Sequence, residues 1–387
     1  MTYDECTPES RGILMDTVGS KQSTRLHFID AAKAFAIYLV IVYHIGQSQP
    51  GLAVASSSQF LYFCHGIATI AVPLFFTING YLVLNRQIDL RKNLAKTFRL
   101  YLVTLIWSFI IIASLSAIDD EHYSWAAFLK AVFLLKHGDN NHLWFLFALT
   151  SIYLLVPAIK SIYDYRDQNV ILWTLLVLFG FCFANIAVNW CFIMLQAVRG
   201  QPLDVVNGAI KIYRPFDIQG INPFGGYSWA FVYFILGGLL ERHMKNERRP
   251  IPLWGLALIF LVAALTLFGF GSVVSQYLHG KQFDTVFDGY NSIPGMAMTF
   301  SLLLIFHRLW TARMPGASLT ASIGANTLGI YLLHIPILRL LNHLYFSWTI
   351  SHFVPMNLVY GAAILVSSWL LTLLFKRTPV FRLLFEL

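Results

Sequence analysis

Apolar runs of about 20 residues recur along the chain, separated by shorter polar segments. A run of this length can cross the hydrocarbon core of a bilayer as a helix. Core helices of soluble domains are shorter and carry a polar stripe. The pattern therefore predicts an all-α integral membrane protein with about ten transmembrane helices. We place these helices near residues 28–47, 60–84, 100–118, 142–159, 170–190, 227–240, 251–273, 292–310, 320–341 and 356–375.

The segments around these runs define the predicted domain organisation. Residues 1–27 form a polar N-terminal segment, residues 28–375 form one membrane domain, and residues 376–387 form a short tail. The apolar stretch 125–137 is too short to cross a bilayer, so we expect an interfacial or re-entrant segment. The longest connection, 191–226, contains Pro, Gly and Asn and is predicted to be an ordered irregular loop.

The first apolar run is predicted to be an uncleaved transmembrane helix. Ala53-Val54-Ala55 resembles a signal-peptidase site, which makes a cleaved secretory signal the alternative. The apolar region of such a signal rarely contains ionisable residues, whereas this run contains Lys33 and His44. We therefore favour a first helix that is retained.

Composition supports the membrane assignment, and the distribution of charge predicts the orientation. Of the 387 residues, 57% are hydrophobic and only 12% are charged, against about 25% charged in soluble domains. The net charge of +8 does not indicate nucleic-acid binding, because the basic residues lie in short loops. With the amino terminus inside, inner segments hold 19 of the 27 lysines and arginines, and outer segments hold seven. This asymmetry predicts that both termini face the cytoplasm.

The four cysteines indicate neither a metal site nor a disulfide framework. No two of them have the C-x-x-C spacing of a metal or redox motif. We expect them to pack as small membrane residues. They are Cys6, Cys64, Cys182 and Cys191.

Three ionisable residues of the first predicted helix lie on one face. At about 100° per residue, Asp30, Lys33 and His44 fall within an arc of about 60°. Lys33 and His44 are separated by roughly 16 Å along the helix axis. Each such residue costs about 2.5–3.5 kcal/mol to insert and therefore often marks function. The structural alternatives are an interfacial Asp30–Lys33 pair and a His44 satisfied by a neighbouring carbonyl group.

Polar and small residues mark the inner ends of the second and third predicted helices. Asn79-Gly80 offers a polar side chain and a close backbone approach, which helix packing alone also explains. Lys96 and Arg99 lie one helical turn apart, a spacing that suits an anionic phosphate group. Positive-inside topology alone also accounts for these two charges.

Two later stretches add candidate site residues. The sequence HLWFL contains His142 and Trp144, which we expect at the outer interface, with Trp144 as an aromatic membrane anchor. Tyr331 and His334 are one turn apart on the ninth predicted helix and share a face. Two such polar groups need a partner within the bundle, for which His44 is a candidate.

Four stretches together resemble the acyltransferase-3 family, multispanning bacterial enzymes that O-acylate surface polysaccharides. IDAAKAFAIYLVIVYH matches the family's basic residue, ten residues and histidine, and VPLFFTINGYL resembles its Phe-Phe-x-x-Ser-Gly-Phe-Leu stretch. KTFR is similar to its Arg-x-x-Arg motif, and LGIYLLHIPIL resembles its late Tyr-Leu-x-His helix. The resemblance spans residues 28–340 in the expected order. Lys33 and Lys96 replace the usual arginines and Asn79 replaces the usual serine, so bidentate phosphate binding is lost.

The resemblance implies an O-acyltransferase, most simply an O-acetyltransferase, in the bacterial cytoplasmic membrane. Its co-substrate would be a cytoplasmic acyl-CoA, usually acetyl-CoA, without a permanently bound cofactor or metal. The acceptor would be a hydroxyl group of a surface or lipid-linked saccharide. His44 would be a general base or an acyl-carrying nucleophile, and Tyr331 or His334 would stabilise the oxyanion or orient His44.

The candidate site residues thus form three groups. The acyl-CoA-binding group comprises Lys33, Asn79, Lys96 and Arg99. The catalytic group comprises His44, Tyr331 and His334. The supporting group comprises Asp30, His142 and Trp144.

Two other classes of protein fit part of the pattern. A transporter or flippase for a surface-glycan precursor would show discontinuous helices in two related halves, and no such repeat is evident. A haem-binding membrane protein would use histidines on two helices, and His44, His65, His142 and His334 are candidates.

Overall fold

The computed structural model describes residues 25–48, 59–119, 123–133, 140–203, 205–206, 209–210, 227–246, 250–278, 283–286, 288–348 and 354–385. Most of the polar N-terminal segment and residues 211–226 of the longest connection lie outside this range. Within it the chain is helical, apart from a pair of antiparallel two-residue strands, β1 (Val205–Val206) and β2 (Ala209–Ile210).

The described residues form fifteen α-helices, numbered here in chain order. The first eight are α1 (His27–Ser48), α2 (Gln59–Ile67), α3 (Ala71–Leu84), α4 (Leu90–Asp119), α5 (Trp125–Val132), α6 (Trp144–Tyr163), α7 (Asn169–Phe179) and α8 (Asn185–Val198). The other seven are α9 (Trp229–Asn246), α10 (Leu253–Tyr277), α11 (Ile293–Leu309), α12 (Ala317–Ala325), α13 (Thr327–Phe346), α14 (Val354–Phe375) and α15 (Pro379–Phe385). Short 3₁₀ or π-helical turns join α2 to α3, lead into α6, and join α7 to α8.

Each of the ten predicted transmembrane helices has a helical counterpart. Among the described residues, seven helical segments can cross a membrane by length and composition, or eight if α12 and α13 form one bent span. Neither α9 nor α11 is among the seven, because α9 ends in the charged sequence ERHMKN and α11 has only 17 residues. The multispanning membrane character is therefore supported, and the count of ten stays a prediction.

Two predicted boundaries differ from the structure, and a third segment agrees with its prediction. The predicted ninth helix, 320–341, is broken into α12 and α13, which meet at an angle of 77°. The predicted loop 191–226 begins later, because α8 continues to Val198. Within 125–137, only the eight residues of α5 are helical in the described part, in agreement with a segment too short to span.

The break between α12 and α13 coincides with close packing against α1. A Cβ atom on Gly324 would lie 2.8 Å from the Asp30 Cα atom, so the last turn of α12 approaches the α1 backbone as only glycine allows. Asn326 follows, and its side-chain amide donates a hydrogen bond to the Ser322 carbonyl oxygen, 2.7 Å away. The side chain of Asn326 thereby satisfies a carbonyl group at the end of α12, where the helical hydrogen bonds stop.

The bundle has a buried centre and an apolar periphery. The apolar stretch of α1 is 72% buried, whereas that of α14 is 28% buried. Helices α3 and α9 are in direct backbone contact, since added Cβ atoms on Gly80 and Gly237 would overlap the main-chain oxygens of Phe234 and Thr77. Small residues permit such backbone contact between membrane helices. The packing explanation for Asn79-Gly80 is therefore confirmed for Gly80.

Candidate active site

One end of the bundle gathers basic side chains and is called the basic end below. The start of α1 meets the ends of α3 and α11 there, because the Phe28 ring packs 5.7 Å from Tyr81 and 4.9 Å from His307. The end of α6 joins them, since the Tyr163 hydroxyl donates to the Asn85 side chain. The basic end is defined by Arg25, Lys33, Arg86, Lys96, Arg99, Lys160 and Arg242.

Asp30 is paired with Arg25 and not with Lys33. The Arg25 Nε atom lies 2.6 Å from the Asp30 Oδ2 atom, and the same guanidinium group also donates to the Ala321 carbonyl oxygen. Asp30 therefore ties the entry of α1 to α12. The direct ion pair of Asp30 is with Arg25, and Lys33 interacts with the same carboxylate only through its charge.

Lys33 lies one turn further along α1 and is half-buried. Its ammonium group makes no hydrogen bond with the described residues. The charge of Lys33 interacts favourably with Asp30 and unfavourably with Lys96 and Arg25. The charge of Lys96 in turn is opposed by that of Arg86. Like charges held this close favour the approach of an anion.

Lys96 is positioned by an aromatic side chain that also contacts Asn79. The Lys96 Nζ atom lies 4.8 Å from the centre of the Tyr153 ring, within the range of a cation–π contact. The Tyr153 hydroxyl donates to the Asn79 Oδ1 atom over 2.6 Å, and the Asn79 amide donates to the Phe75 carbonyl oxygen. Asn79 thus contributes to the basic end by holding Tyr153 beneath Lys96.

Arg99 turns away from Lys96 towards the last helix. Its guanidinium group donates to the Leu383 carbonyl oxygen over 3.1 Å, and the Trp107 indole donates to the carbonyl oxygen of Leu384. Both acceptors are in the last turn of α15, whose carbonyl groups lack partners within the helix. The structure therefore brings Lys33, Lys96 and Asn79 into one region, and it places Arg99 in contact with α15.

Three histidines from separate parts of the chain meet near the other end of α1. The His44 ring centre lies 5.3 Å from that of His334 and 6.2 Å from that of His142, and the latter two are 5.6 Å apart. His142 is 7% exposed and His334 is fully buried. We call this group the histidine site. The expected proximity of His44 to His334 is confirmed, and His142 is a member of the same cluster.

A hydrogen bond made by the His334 ring shows which of its two nitrogens can accept another hydrogen bond. Its Nδ1 atom lies 2.6 Å from the Tyr331 carbonyl oxygen, which can only accept a hydrogen bond, so Nδ1 carries the proton. In the neutral ring, Nε2 then has a free lone pair. This buried atom has no hydrogen-bond partner among the described residues.

Tyr331 holds the turn that carries His142. Its buried hydroxyl donates to the His142 carbonyl oxygen. This bond joins α13 to the 3₁₀ turn Asn141–Leu143 before α6. Because the hydroxyl proton is engaged, Tyr331 supports the arrangement of His142 and His334 through its position.

Trp144 packs within an aromatic group and is only half-exposed. Its ring stacks on Tyr227, with centres 4.9 Å apart, and lies about equally far from Trp229 and Tyr290, at 6.1 Å. The interfacial position expected for Trp144 stays a prediction, and the structure adds that the ring is part of an aromatic group. Two of these neighbours, Tyr227 and Trp229, come from the start of α9 and the residues before it, and Tyr290 comes from the connection before α11.

Comparison with known families identifies the chain. The model of the acyltransferase domain family Acyl_transf_3 matches residues 26–375, which is most of the chain. The chain belongs to the acyltransferase-3 family. No curated protein and no solved structure matches the chain significantly. The family confirms the resemblance seen in the sequence and supports acyl transfer as the general activity.

This acyltransferase has polar residues beside the histidine site that the sequence did not single out. The Tyr43 hydroxyl donates to the Asp284 Oδ2 atom over 2.9 Å, and the Tyr43 ring lies 5.1 Å from that of His65. Tyr43 directly precedes His44 in the sequence, which was the available signal. Nothing in the sequence marked Asp284 as part of the site, because aspartates are common in polar connections between helices.

A second carboxylate of the same connection is electrostatically perturbed. Asp288 keeps contact with solvent, yet desolvation by the neighbouring protein and the nearby Asp284 carboxylate raise its pKa from 3.8 to about 6. The rim of the histidine site is thus acidic, in contrast to the basic end. In the described part of the chain, no group of three His, Cys, Asp or Glu side chains could hold a metal ion.

Proposed function

We propose that this protein is a membrane-bound O-acyltransferase that transfers an acyl group, most simply acetyl, from acyl-CoA to a saccharide hydroxyl group. The acceptor would be a surface or lipid-linked glycan in the bacterial cytoplasmic membrane, and the basic end would face the cytoplasm. One observation carries the proposal: α1 holds Lys33 among like charges, and it holds His44 beside a buried His334 ring nitrogen that has no hydrogen-bond partner among the described residues.

The basic end has the properties of a site for the anionic donor. Lys33 and Lys96 repel each other, and Lys33 has no hydrogen bond with the described residues to offset its partial burial. A phosphate group placed between them would relieve both costs through charge-assisted hydrogen bonds. Lysine offers a point charge, so this site binds phosphate without the bidentate geometry of arginine.

The histidine site has the properties of a proton-transfer centre. His44 takes the proton of the acceptor hydroxyl group, and the hydroxyl oxygen attacks the thioester carbonyl carbon. The resulting tetrahedral intermediate collapses by breaking the carbon–sulfur bond. The leaving thiolate then receives the proton from the His44 imidazolium, so ester and free CoA are the products.

His334 and Tyr331 are positioning residues in this scheme. The lone pair on His334 Nε2 can accept a hydrogen bond from the His44 ring, which would stabilise the imidazolium that forms during the reaction. The Tyr331 carbonyl oxygen holds the His334 ring, and the Tyr331 hydroxyl group holds the main chain at His142. Burial of His142 and His334 keeps bulk water from competing with the acceptor.

Acyl transfer from radiolabelled acetyl-CoA to extracted membrane glycolipid, by purified protein reconstituted in vesicles, tests the proposal. We expect labelled glycolipid with the wild type and a rate of labelling lower by about 10²–10⁴-fold with His44→Ala. His243→Ala is the matched control, because His243 is an exposed histidine at the basic end of α9. It should retain wild-type transfer.

The outcomes separate the remaining alternatives. Release of one equivalent of free CoA without acceptor, together with label on the protein, would assign His44 as an acyl carrier instead of a base. Wild-type transfer by His44→Ala would remove His44 from catalysis. Absence of transfer with several acyl-CoA donors, together with movement of glycolipid between leaflets, would favour the flippase.

A further inference from the structure

A groove opens at the basic end, between the α3–α4 connection and the last turns of α6. Its volume is about 530 Å³, which is within the range of small-molecule sites. Its charged lining residues are Arg86, Lys160 and Asp164. The donor contacts described above involve Lys33 and Lys96, and the groove lies beside them at the same end, because Arg86 is close enough to Lys96 for their charges to interact.

The acidic residue of the groove is already neutralised by two cations. The Lys160 Nζ atom lies 2.6 Å from Asp164 Oδ2, and the Arg242 guanidinium group lies 3.0 Å from Asp164 Oδ1. Arg242 also stacks on the Tyr163 ring at 3.7 Å, which fixes its position. Asp164 therefore does not oppose the binding of an anion.

Arg86 is the cation of the groove that remains available. Its side chain is exposed, and it makes no hydrogen bond or ion pair with the described residues. A guanidinium group has five donors in a planar fork that matches phosphate oxygens. With Arg86 unpaired and Asp164 neutralised, the groove carries a net positive charge.

The rest of the groove provides an apolar wall beside these charges. Ile88, Leu90 and Pro157 line it, and the Leu90 side chain is 55% exposed. An exposed apolar wall next to a free arginine suits a ligand that combines a flat, weakly polar ring with phosphate groups. An inorganic anion would leave this wall unused.

We propose that this groove binds the 3′-phosphorylated ADP portion of acyl-CoA, with its 3′-phosphate at Arg86, its adenine ring against the apolar wall and its diphosphate towards Lys96 and Lys33. The inference rests on the proposed function and adds a binding site to it. The cations then form a path along the donor, from Arg86 in the groove through Lys96 to Lys33 on α1. The pantetheine arm would continue from there towards His44.

Two donors that differ only in the nucleotide test this assignment. S-acetylpantetheine has the thioester and the pantetheine arm of acetyl-CoA but lacks the phosphorylated ADP. Arg86→Ala should raise the KM for acetyl-CoA about tenfold, the effect of one lost charge-assisted contact, and leave that for S-acetylpantetheine unchanged. Arg313→Ala is the matched control, because Arg313 is an exposed arginine that follows α11 at the same end but does not line the groove. It should change neither KM.

A direct binding measurement keeps the inference testable without catalysis. Adenosine 3′,5′-bisphosphate should bind the reconstituted wild type and bind Arg86→Ala about tenfold more weakly in calorimetry. An equal change for both donors, or no change in nucleotide affinity, would overturn the assignment. An effect of Arg86→Ala that depends only on the content of phosphatidylglycerol in the vesicles would assign the groove to a lipid headgroup and would also overturn it. If no donor supports transfer but the nucleotide still binds through Arg86, the proposed reaction fails while the groove assignment stands.

Discussion

The two ends of α1 place ionisable side chains in contrasting surroundings. Near its first turn, Lys33 is half-buried beside long, flexible cations that keep contact with solvent. Near its last turns, His44 lies against His334, which is fully buried, and His142, which is 7% exposed. The first region is held by single polar contacts and a cation–π contact, and the second by packed rings.

This difference teaches how binding and chemistry are divided along one helix. Flexible, hydrated cations suit a charged donor that must enter and leave at every turnover. Buried, closely packed rings suit a proton transfer that depends on fixed geometry and little water. The two regions are roughly 16 Å apart along α1, so one rigid element fixes the distance between them.

The sharpest test of this division compares the kinetic effects at the two ends. His44→Ala should lower kcat by about 10²–10⁴-fold, the usual contribution of a general base, and leave the KM for acetyl-CoA nearly unchanged. Steady-state kinetics in reconstituted vesicles measure both constants. A rise in KM without a loss of kcat would show that His44 serves binding, and the contrast between the two ends would disappear.

A substitution in the contact between α3 and α9 should destabilise the whole bundle and therefore both ends of α1. Gly80→Ala should lower the free energy of unfolding by about 1–3 kcal/mol, because its Cβ atom would overlap the Phe234 main-chain oxygen, which no side-chain rotation can relieve. Thermal unfolding of the purified protein measures this effect.

Gly269→Ala is the matched control for this helix contact. A Cβ atom on Gly269, in α10, would meet no other atom within 4 Å. The change should be neutral or stabilising, since alanine favours a helix over glycine. Equal melting temperatures for the two variants would contradict the close packing of α3 against α9.

Within the basic end, substitutions of Lys96 and Arg99 should have different effects on the KM for acetyl-CoA, although the two residues share one helical turn. Lys96→Ala should raise the KM for acetyl-CoA about tenfold through the loss of a phosphate contact. Arg99→Ala should change it by less, because the Arg99 side chain is engaged with the Leu383 carbonyl oxygen. Similar rises in both variants would show that Arg99 leaves α15 when the donor binds.

The smallest predicted effect concerns the acidic rim of the histidine site. In the folded protein the pKa of Asp288 is about 6, whereas the ordinary value is 3.8. Between these pH values the unfolded chain has lost the proton that the folded protein keeps, so ionisation of Asp288 lowers stability as the pH rises from about 4 to 6. Asp288→Asn should therefore match the wild type near pH 4 and melt slightly higher at pH 7. A melting difference that is independent of pH would contradict the raised pKa.

The helices and the shared face of α1 were predictable because they depend on local properties of the chain. Apolar length and helical periodicity are contained in each segment, so Lys33 and His44 could be placed on one helix before any contact was known. The same periodicity predicted that Tyr331 and His334 share a face, and glycine's lack of a Cβ atom explained the close approach at Gly80.

Contacts between helices were decided by the tertiary structure alone. Nothing in HLWFL shows that His142 joins His44 and His334, because that meeting depends on how α1, α6 and α13 pack. Helix packing also decides that Arg99 turns towards α15, that Asp30 pairs with Arg25 and that the helix breaks before α13. The physical reason is that helix formation follows from neighbours along the chain, whereas the partner of a buried polar group is whichever side chain the packed bundle brings to it.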